Sequence, residues 1–158
     1  MHTSGQLRID PGTLEFGSAG AEIEIVVPYT ERALTEAALK RVTVLTAGLN
    51  AAIRLVAVHA IPYPQPFHCP AALHAHLVEQ LVDLASRCPL AVDPQVVLAR
   101  YRDDGFRHVL KPASIVLIGA RKRLFPTREE KLARALARDG HQVVLLHIEE
   151  EEKEARNA

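Results

Sequence analysis

Short apolar runs along the chain alternate with longer stretches in which apolar residues recur at helical spacing. The first run, residues 23–27, is continuously aliphatic apart from one glutamate and closes at Pro28, as a buried strand would. After Thr30, a candidate N-cap, apolar positions recur every three or four residues, which predicts an amphipathic helix over residues 31–47. A strand followed by a helix is therefore the first predicted unit.

The same unit recurs along the rest of the chain. Further strands are predicted at residues 53–58, 96–99, 115–118 and 143–148, and helices at residues 73–88, 106–110 and 127–140. The last helix opens with Thr127 and Glu130, spaced as a capping box in which each side chain caps the other's backbone amide. Strict alternation of strands and helices predicts an α/β fold of three layers, with a five-stranded parallel sheet and helices on both faces.

The two ends of the chain differ from this pattern. Near the start, alternating apolar residues flank Asp10-Pro11-Gly12, which is typical of a hairpin, although a poorly ordered leader is the alternative. At the other end, the acidic run after residue 149 is expected to be solvated charge. The predicted organisation is an N-terminal tail or short hairpin (1–20), one domain (21–149) and an acidic tail (150–158).

Composition narrows the functional classes. A chain of 158 residues with 48% hydrophobic and 24% charged residues fits one globular domain. Nineteen basic residues balance nineteen acidic ones, which argues against nucleic acid or an anionic membrane as a partner. The sequence has no signal peptide and no membrane span, and its two cysteines are expected to be free thiols, so a cytoplasmic location is predicted.

Three motifs in this order resemble the universal stress protein family. They are Ile25-Val26-Val27-Pro28 before the first helix, Val56-Ala57-Val58-His59 at the end of the second strand, and Ile115-Val116-Leu117-Ile118-Gly119-Ala120-Arg121 in the fourth. The resemblance spans residues 22–148. It implies a strand order of 3-2-1-4-5, homodimers formed through the last strand and, in one branch of the family, ATP bound at the carboxyl ends of the first and fourth strands.

The phosphate-binding pattern of that ATP-binding branch is incomplete in this chain. Such members carry an aspartate where this sequence has Thr30, and a Gly-x-x-Gly step of which Gly119 is present and the second glycine is replaced by Lys122. Their later Gly-Ser or Gly-Thr pair falls near Leu132 and Ala133. Because a side chain keeps backbone amides away from a triphosphate, no cofactor is expected, and ATP or another nucleotide is disfavoured.

The candidate ligand site is nevertheless the crevice at the carboxyl ends of the strands, where open α/β sheets bind ligands. Its predicted residues are Pro28, Tyr29, Thr30, Val58, Gly119, Arg121, Lys122, Arg123 and Thr127. The basic run from Arg121 to Arg123 could hold a nucleotide or another anion in an altered pose. The alternative is a solvated loop that pairs with Glu129 and Glu130.

Candidate chemistry elsewhere is sparse. His68, Cys69, His74 and His76 cluster in sequence, but residues two apart on a helix point in different directions, so no metal site is predicted. Cys69 is the candidate reactive thiol, and Cys88 is expected to be buried on the inner face of its helix. His59, His147 and Asp104 form no catalytic set with a neighbour. The prediction is a stress-associated regulatory domain without catalysis, acting as a homodimer or through a protein partner; the alternative is an anion-binding or nucleotide-binding module.

Overall fold

The computed structural model describes residues 7–8 and 22–148, which form one parallel sheet covered by helices. The strands are β1 (Leu7–Arg8), β2 (Ile23–Tyr29), β3 (Ala51–Ala60), β4 (Ala91–Ala99), β5 (Ile115–Arg121) and β6 (Gln142–Ile148). The helices are α1 (Arg32–Leu45), α2 (Ala71–Ser86), α3 (Arg102–Val109) and α4 (Arg128–Arg138). The order is β1-β6-β5-β2-β3-β4 with every pair parallel. If β1 is left out and β2 to β6 are numbered 1 to 5 along the chain, the order read from the β4 side is 3-2-1-4-5. The predicted strand order is therefore confirmed.

Alternation along the strands divides the core between the two faces of the sheet. Ile25 and Val27 point toward α1 and α2, where they pack with Leu39 and Leu84, whereas Val26 points to the other face, which α3 and α4 cover. The second cluster contains these buried side chains of α3 and α4: Phe106, Leu132, Ala133, Leu136 and Ala137. Successive strand residues point to opposite faces, so the central strands are apolar along most of their length on both faces. Glu24 of β2 and Arg54 of β3 are exceptions, and they form an ion pair with each other. This three-layer arrangement confirms the predicted fold class.

Strand bounds differ from the prediction where proline interrupts the apolar pattern. β2 continues through Pro28 to Tyr29, both still in register with β3, so the predicted closure at Pro28 is wrong. β4 begins at Ala91 rather than Val96 and includes Pro94. A proline is tolerated there because β4 is the outermost strand on its side and the proline lacks only one donor.

The helix caps are only partly as predicted. The N-cap of α1 is Glu31, not Thr30, and no side chain caps it; the amide of Thr30 instead donates to Thr35 Oγ1 at 3.2 Å. At α4, Thr127 Oγ1 accepts from the amide of Glu130 at 3.2 Å, which confirms the N-cap. The Glu130 carboxylate lies 3.8 Å from His147 Nε2.

The sheet has one strand more than predicted. β1 pairs in parallel with β6 opposite Val143 and Val144. Residues 9–21, which carry the rest of the predicted hairpin, and the acidic tail lie outside the described residues. Across the part of the chain that the structure describes, no helix has the length and apolar character needed to cross a bilayer.

Candidate functional site

A crevice opens where the chain order reverses in the sheet. β2 pairs with β3 along all its seven residues but with β5 only at Ile25–Ile115 and Val26–Val116. After Val26 and Val116 the two strands are no longer paired, so their carboxyl ends flank an opening. Parallel α/β sheets bind ligands at such reversal points because loops and helix N-termini converge there.

An ion pair bridges this crevice. Arg121 is the last residue of β5, and Glu31 is the N-cap of α1 directly after β2. Both Arg121 Nη atoms donate to the Glu31 carboxylate, Nη1 to Oε2 and Nη2 to Oε1, the latter at 2.7 Å. Such a two-point contact fixes the orientation of the planar guanidinium. The predicted pairing of the basic run with Glu129 and Glu130 is therefore not the contact that Arg121 makes here.

Gly119 allows a close approach between β5 and α1. A Cβ atom built on Gly119 would lie 2.6 Å from the backbone oxygen of Leu34 and 3.5 Å from its Cβ. Because the nearer atom belongs to the helix backbone, a side chain at position 119 would push α1 away from the sheet. This glycine has a packing role that does not depend on any ligand.

The end of β2 contributes one buried residue and two half-buried residues to the crevice wall. Pro28 is buried and Tyr29 packs against the α1–α2 core cluster. Thr30 follows the strand, and its amide is taken up by the Thr35 hydroxyl, which in turn donates to the Glu31 carbonyl oxygen at 2.9 Å. The first turn of α1 is thus held by internal hydrogen bonds at the point where the sheet opens.

The loop after β5 carries cations and apolar side chains together. Lys122 and Arg123 are exposed, and the next two residues, Leu124 and Phe125, expose 92% and 77% of their surface. Large apolar side chains with that exposure in adjacent positions are typical of contact surfaces. Lys122 and Arg123 were predicted as site residues from the sequence, whereas Leu124 and Phe125 were not, although their position directly after a basic run was a usable signal.

At the start of α4, the free backbone amides and the positive end of the helix dipole interact with side chains of the helix itself. Thr127 caps the helix, and Glu129 and Glu130 lie in the first turn, where a carboxylate interacts favourably with the helix dipole. Leu132 and Ala133, where the ATP-binding pattern would place Gly-Ser or Gly-Thr, are fully buried on the inner face of α4. They belong to the core and do not line the crevice.

Val58 lies at the carboxyl half of β3 and packs under α3. A Cβ atom on Gly105 of α3 would lie 2.6 Å from Val58 Cγ1, so α3 also approaches the sheet closely. Val58 packs against the α3–α4 core cluster, on the face of the sheet opposite Tyr29. The structure therefore places the predicted site residues at one end of the sheet, with Tyr29 and Val58 on opposite faces.

The histidines and cysteines form no ligand cluster. In residues 7–8 and 22–148, no group of three or more His, Cys, Asp or Glu side chains could hold a metal ion. His68, His74 and His76 are exposed. Cys88 follows α2 rather than lying in it, since that helix ends at Ser86, and its sulfur is 3.6 Å from Thr43 Oγ1. Cys88 therefore lies outside the helix, contrary to the prediction, but its half-buried side chain packs inward against the core cluster that contains Leu81 and Leu84, as predicted.

Two further polar residues, Arg100 and His141, lie at opposite ends of the sheet. Arg100 lies just after β4, donates to the carbonyl oxygen of Gln65 at 2.6 Å, and stacks on Tyr63 and Phe67 with ring centroids 4.2 and 5.1 Å away. Arg100 thereby anchors the proline-rich loop after β3. At the opposite end of the sheet, burial lowers the pKa of His141, and the nearby Asp139 carboxylate acts in the opposite direction.

Comparison with known proteins identifies a related fold. No family model and no curated protein matches the sequence. The solved structure of a universal stress protein from Archaeoglobus fulgidus is similar, with a TM-score of 0.54 and 12% sequence identity over 78% of this chain and 92% of that chain. At this identity the likeness shows the fold alone: a five-stranded parallel sheet in the order 3-2-1-4-5 with four helices.

Proposed function

We propose that this protein is a non-catalytic regulatory domain of the stress-protein type that acts through protein contacts rather than through a bound nucleotide. The carrying observation is the Glu31–Arg121 ion pair across the crevice. In that contact a carboxylate and a guanidinium neutralise each other at the place where a triphosphate would need positive charge. The glycine at position 119 does not argue against this proposal, because its close contact with Leu34 accounts for it.

The exposed pair Leu124 and Phe125 supports contact with a protein. These side chains lie beside Lys122 on the loop that follows β5, at the carboxyl end of the sheet, and their exposure leaves apolar area in water. Burying such area against a partner is favourable by roughly 25 cal/mol per Å² before the ordering of both surfaces is subtracted.

The experiment is a calorimetric titration of the wild-type protein with ATP, AMP and pyrophosphate. We expect no binding to the wild type and measurable pyrophosphate binding to Glu31→Gln, which keeps the size of the side chain but removes one negative charge from the crevice. Lys131→Ala, an exposed cation on α4, is the matched control for a general change in charge. Tight ATP binding or ATP turnover by the wild type, lost when Arg121, Lys122 and Arg123 are replaced by alanine, would overturn the proposal.

The second candidate is an anion-binding or nucleotide-binding module that uses the basic loop. It is favoured by three consecutive cations at the carboxyl end of a central strand, of which Lys122 and Arg123 are exposed. The acidic first turn of α4, Glu129 and Glu130, acts against it. Mass spectrometry of small molecules released from freshly purified protein separates the two, because a co-purifying nucleotide supports only this second candidate.

We also propose that the chain forms a homodimer through the free part of its edge. β1 covers the outer side of β6 opposite Val143 and Val144, and among the described residues nothing pairs with that side from Leu145 to Ile148. An uncovered strand edge favours pairing with another chain. Sedimentation at increasing protein concentration measures the mass directly, and a monomer at every concentration would contradict the proposal. We also propose that the protein is located in the cytoplasm.

A further inference from the structure

A surface groove separates α1 from the segment that follows α2. It has a volume of about 160 Å³ and lies between the carboxyl-terminal half of α1 and residues 84–89. Pro89 lies two residues before Ala91, the first residue of β4, so the groove lies toward the amino ends of the strands. The crevice bridged by Glu31 and Arg121 lies at the carboxyl ends. The groove is therefore a separate feature, and its role does not depend on the function proposed above.

The floor of the groove is apolar. Leu39 and Leu84 line it with 4% and 1% of their surface exposed, and Pro89 closes one end. Cys88 and Thr43 form a wall, with the sulfur and the hydroxyl oxygen 3.6 Å apart. An apolar cavity of roughly 150 Å³ admits a molecule the size of benzene. The groove therefore has room for an apolar body of about six carbon atoms.

The rim of the groove carries more positive than negative charge. Lys40 Nζ and Arg87 Nη1 both face Glu36 Oε1, at 3.8 and 3.9 Å, so one carboxylate serves two cations at distances beyond a hydrogen bond. Arg87 also lies 3.4 Å from Asp83, but that carboxylate is already hydrogen-bonded by Arg32. Both rim cations can rotate toward an anion, because 79% of the Lys40 side chain and 59% of the Arg87 side chain are exposed.

We infer that this groove binds a small monocarboxylate with an apolar body of about six carbon atoms. The apolar part packs against Leu39 and Leu84, and the carboxylate accepts hydrogen bonds from Lys40 and Arg87. An amine of the same length meets two cations and one carboxylate, Glu36, at the rim, so the net charge there opposes it. An alcohol of the same length retains the apolar contact but loses the charge-assisted bonds, which are about twice as strong as neutral ones.

Cys88 provides a reporter inside the groove. The chain has two cysteines, so the variant Cys69→Ser leaves Cys88 as the single thiol. The rate at which Cys88 reacts with an aromatic disulfide reagent is measured with increasing hexanoate, 1-hexanol or hexylamine. We expect hexanoate to slow the reaction in a saturable way, 1-hexanol to require about tenfold higher concentration, and hexylamine to have the weakest effect. No slowing by hexanoate would overturn the inference.

Two variants test the residues assigned to binding. Lys40→Ala combined with Arg87→Ala should weaken hexanoate about tenfold or more and leave 1-hexanol unchanged. Arg134→Ala, an exposed cation on α4, is the matched control and should change neither. Thr43→Phe fills the groove and should abolish hexanoate binding while thermal melting shows a folded protein. Equal binding of hexanoate by the double variant and the wild type, or retained binding by folded Thr43→Phe, would overturn the inference.

Discussion

Substituting alanine at either of two buried glycines should destabilise the protein for different reasons, and a second substitution can tell them apart. At position 119 the added Cβ would lie 2.6 Å from the backbone oxygen of Leu34, in α1. At position 105 it would lie 2.6 Å from Val58 Cγ1 and 2.9 Å from Ala99 Cβ, both side-chain atoms. Replacing a neighbouring residue by one with a shorter side chain can relieve a clash with that side chain, but it cannot relieve a clash with a backbone atom.

The size of the effect follows from these distances. Ordinary van der Waals contact begins at 3.4 Å, so Gly119→Ala requires α1 to move from β5 by several tenths of an ångström. Forcing an extra carbon into a well-packed interior destabilises a protein by about 1–3 kcal/mol. We expect Gly119→Ala near the upper end, because the Leu34 carbonyl belongs to a helix that also packs on the rest of the sheet. The melting temperature should then fall by roughly 4–12 °C.

The assay is equilibrium unfolding in urea, followed by circular dichroism, on two double-mutant cycles. For Gly105→Ala with Val58→Ala, the second change removes the two Val58 methyl groups that the new Cβ meets but leaves the Ala99 Cβ at 2.9 Å. The relief is therefore partial, and we expect a favourable coupling free energy of about 1 kcal/mol. For Gly119→Ala with Leu34→Ala, the coupling should be within about 0.5 kcal/mol of zero, because the Leu34 Cβ is already 3.5 Å away.

Two results would refute this reasoning. The first is a Gly119→Ala variant within about 0.5 kcal/mol of the wild type, which would mean that the strand and the helix do not approach as closely as described. The second is recovery of Gly119→Ala stability by Leu34→Ala, which would place the clash in the side chain. Either result would also reopen a ligand-related explanation for this glycine.

Three further predictions concern stability. Burial lowers the pKa of His141, and its Nδ1 accepts a hydrogen bond from the Ser114 amide at 3.1 Å, so the unfolded state binds a proton more readily than the folded state. As the pH is lowered through about 6.5, the free energy of unfolding should therefore decrease. His141→Gln should reduce this pH dependence, measured by urea titrations at several pH values. Ala113 has a φ of 55° and is exposed, so Ala113→Gly should raise the free energy of unfolding by about 0.5–1 kcal/mol; a loss in the same assay would contradict the assigned strain. Thr127→Ala should destabilise by about 1 kcal/mol and Thr127→Ser should not; equal melting temperatures for the two variants would show that the hydroxyl is no cap.

The fold was largely accessible from the sequence because the buried strands are short, mainly aliphatic runs. Apolar residues at helical spacing separate these runs. The edge strand β4 was underestimated, since Asp93 and Pro94 interrupt its pattern, and only its outer position makes them acceptable. The strand order came from the resemblance of three motifs, not from spacing. Periodicity places residues on elements but does not say which elements are neighbours.

The contacts that define the candidate site were less accessible. Arg121 was recognised as part of a basic run, but its partner Glu31 lies 90 positions away and comes beside it only because β5 neighbours β2. The partners of Arg100 are also distant in sequence: the aromatic rings on which it stacks lie in the loop before α2. A local capping pattern such as Thr127 could be predicted because both partners lie within one helical turn.

Gly119 alone is weak support for nucleotide binding in this chain. The close approach of β5 to α1 would require a glycine there with or without a ligand, so its presence does not distinguish a working phosphate site from a lost one. The proposal that the crevice holds no nucleotide rests instead on two other features. One is position 122, where the resemblance implies a glycine and this chain has an exposed lysine; the other is the ion pair of Glu31 and Arg121. The charge at position 31 is therefore the first feature to change experimentally.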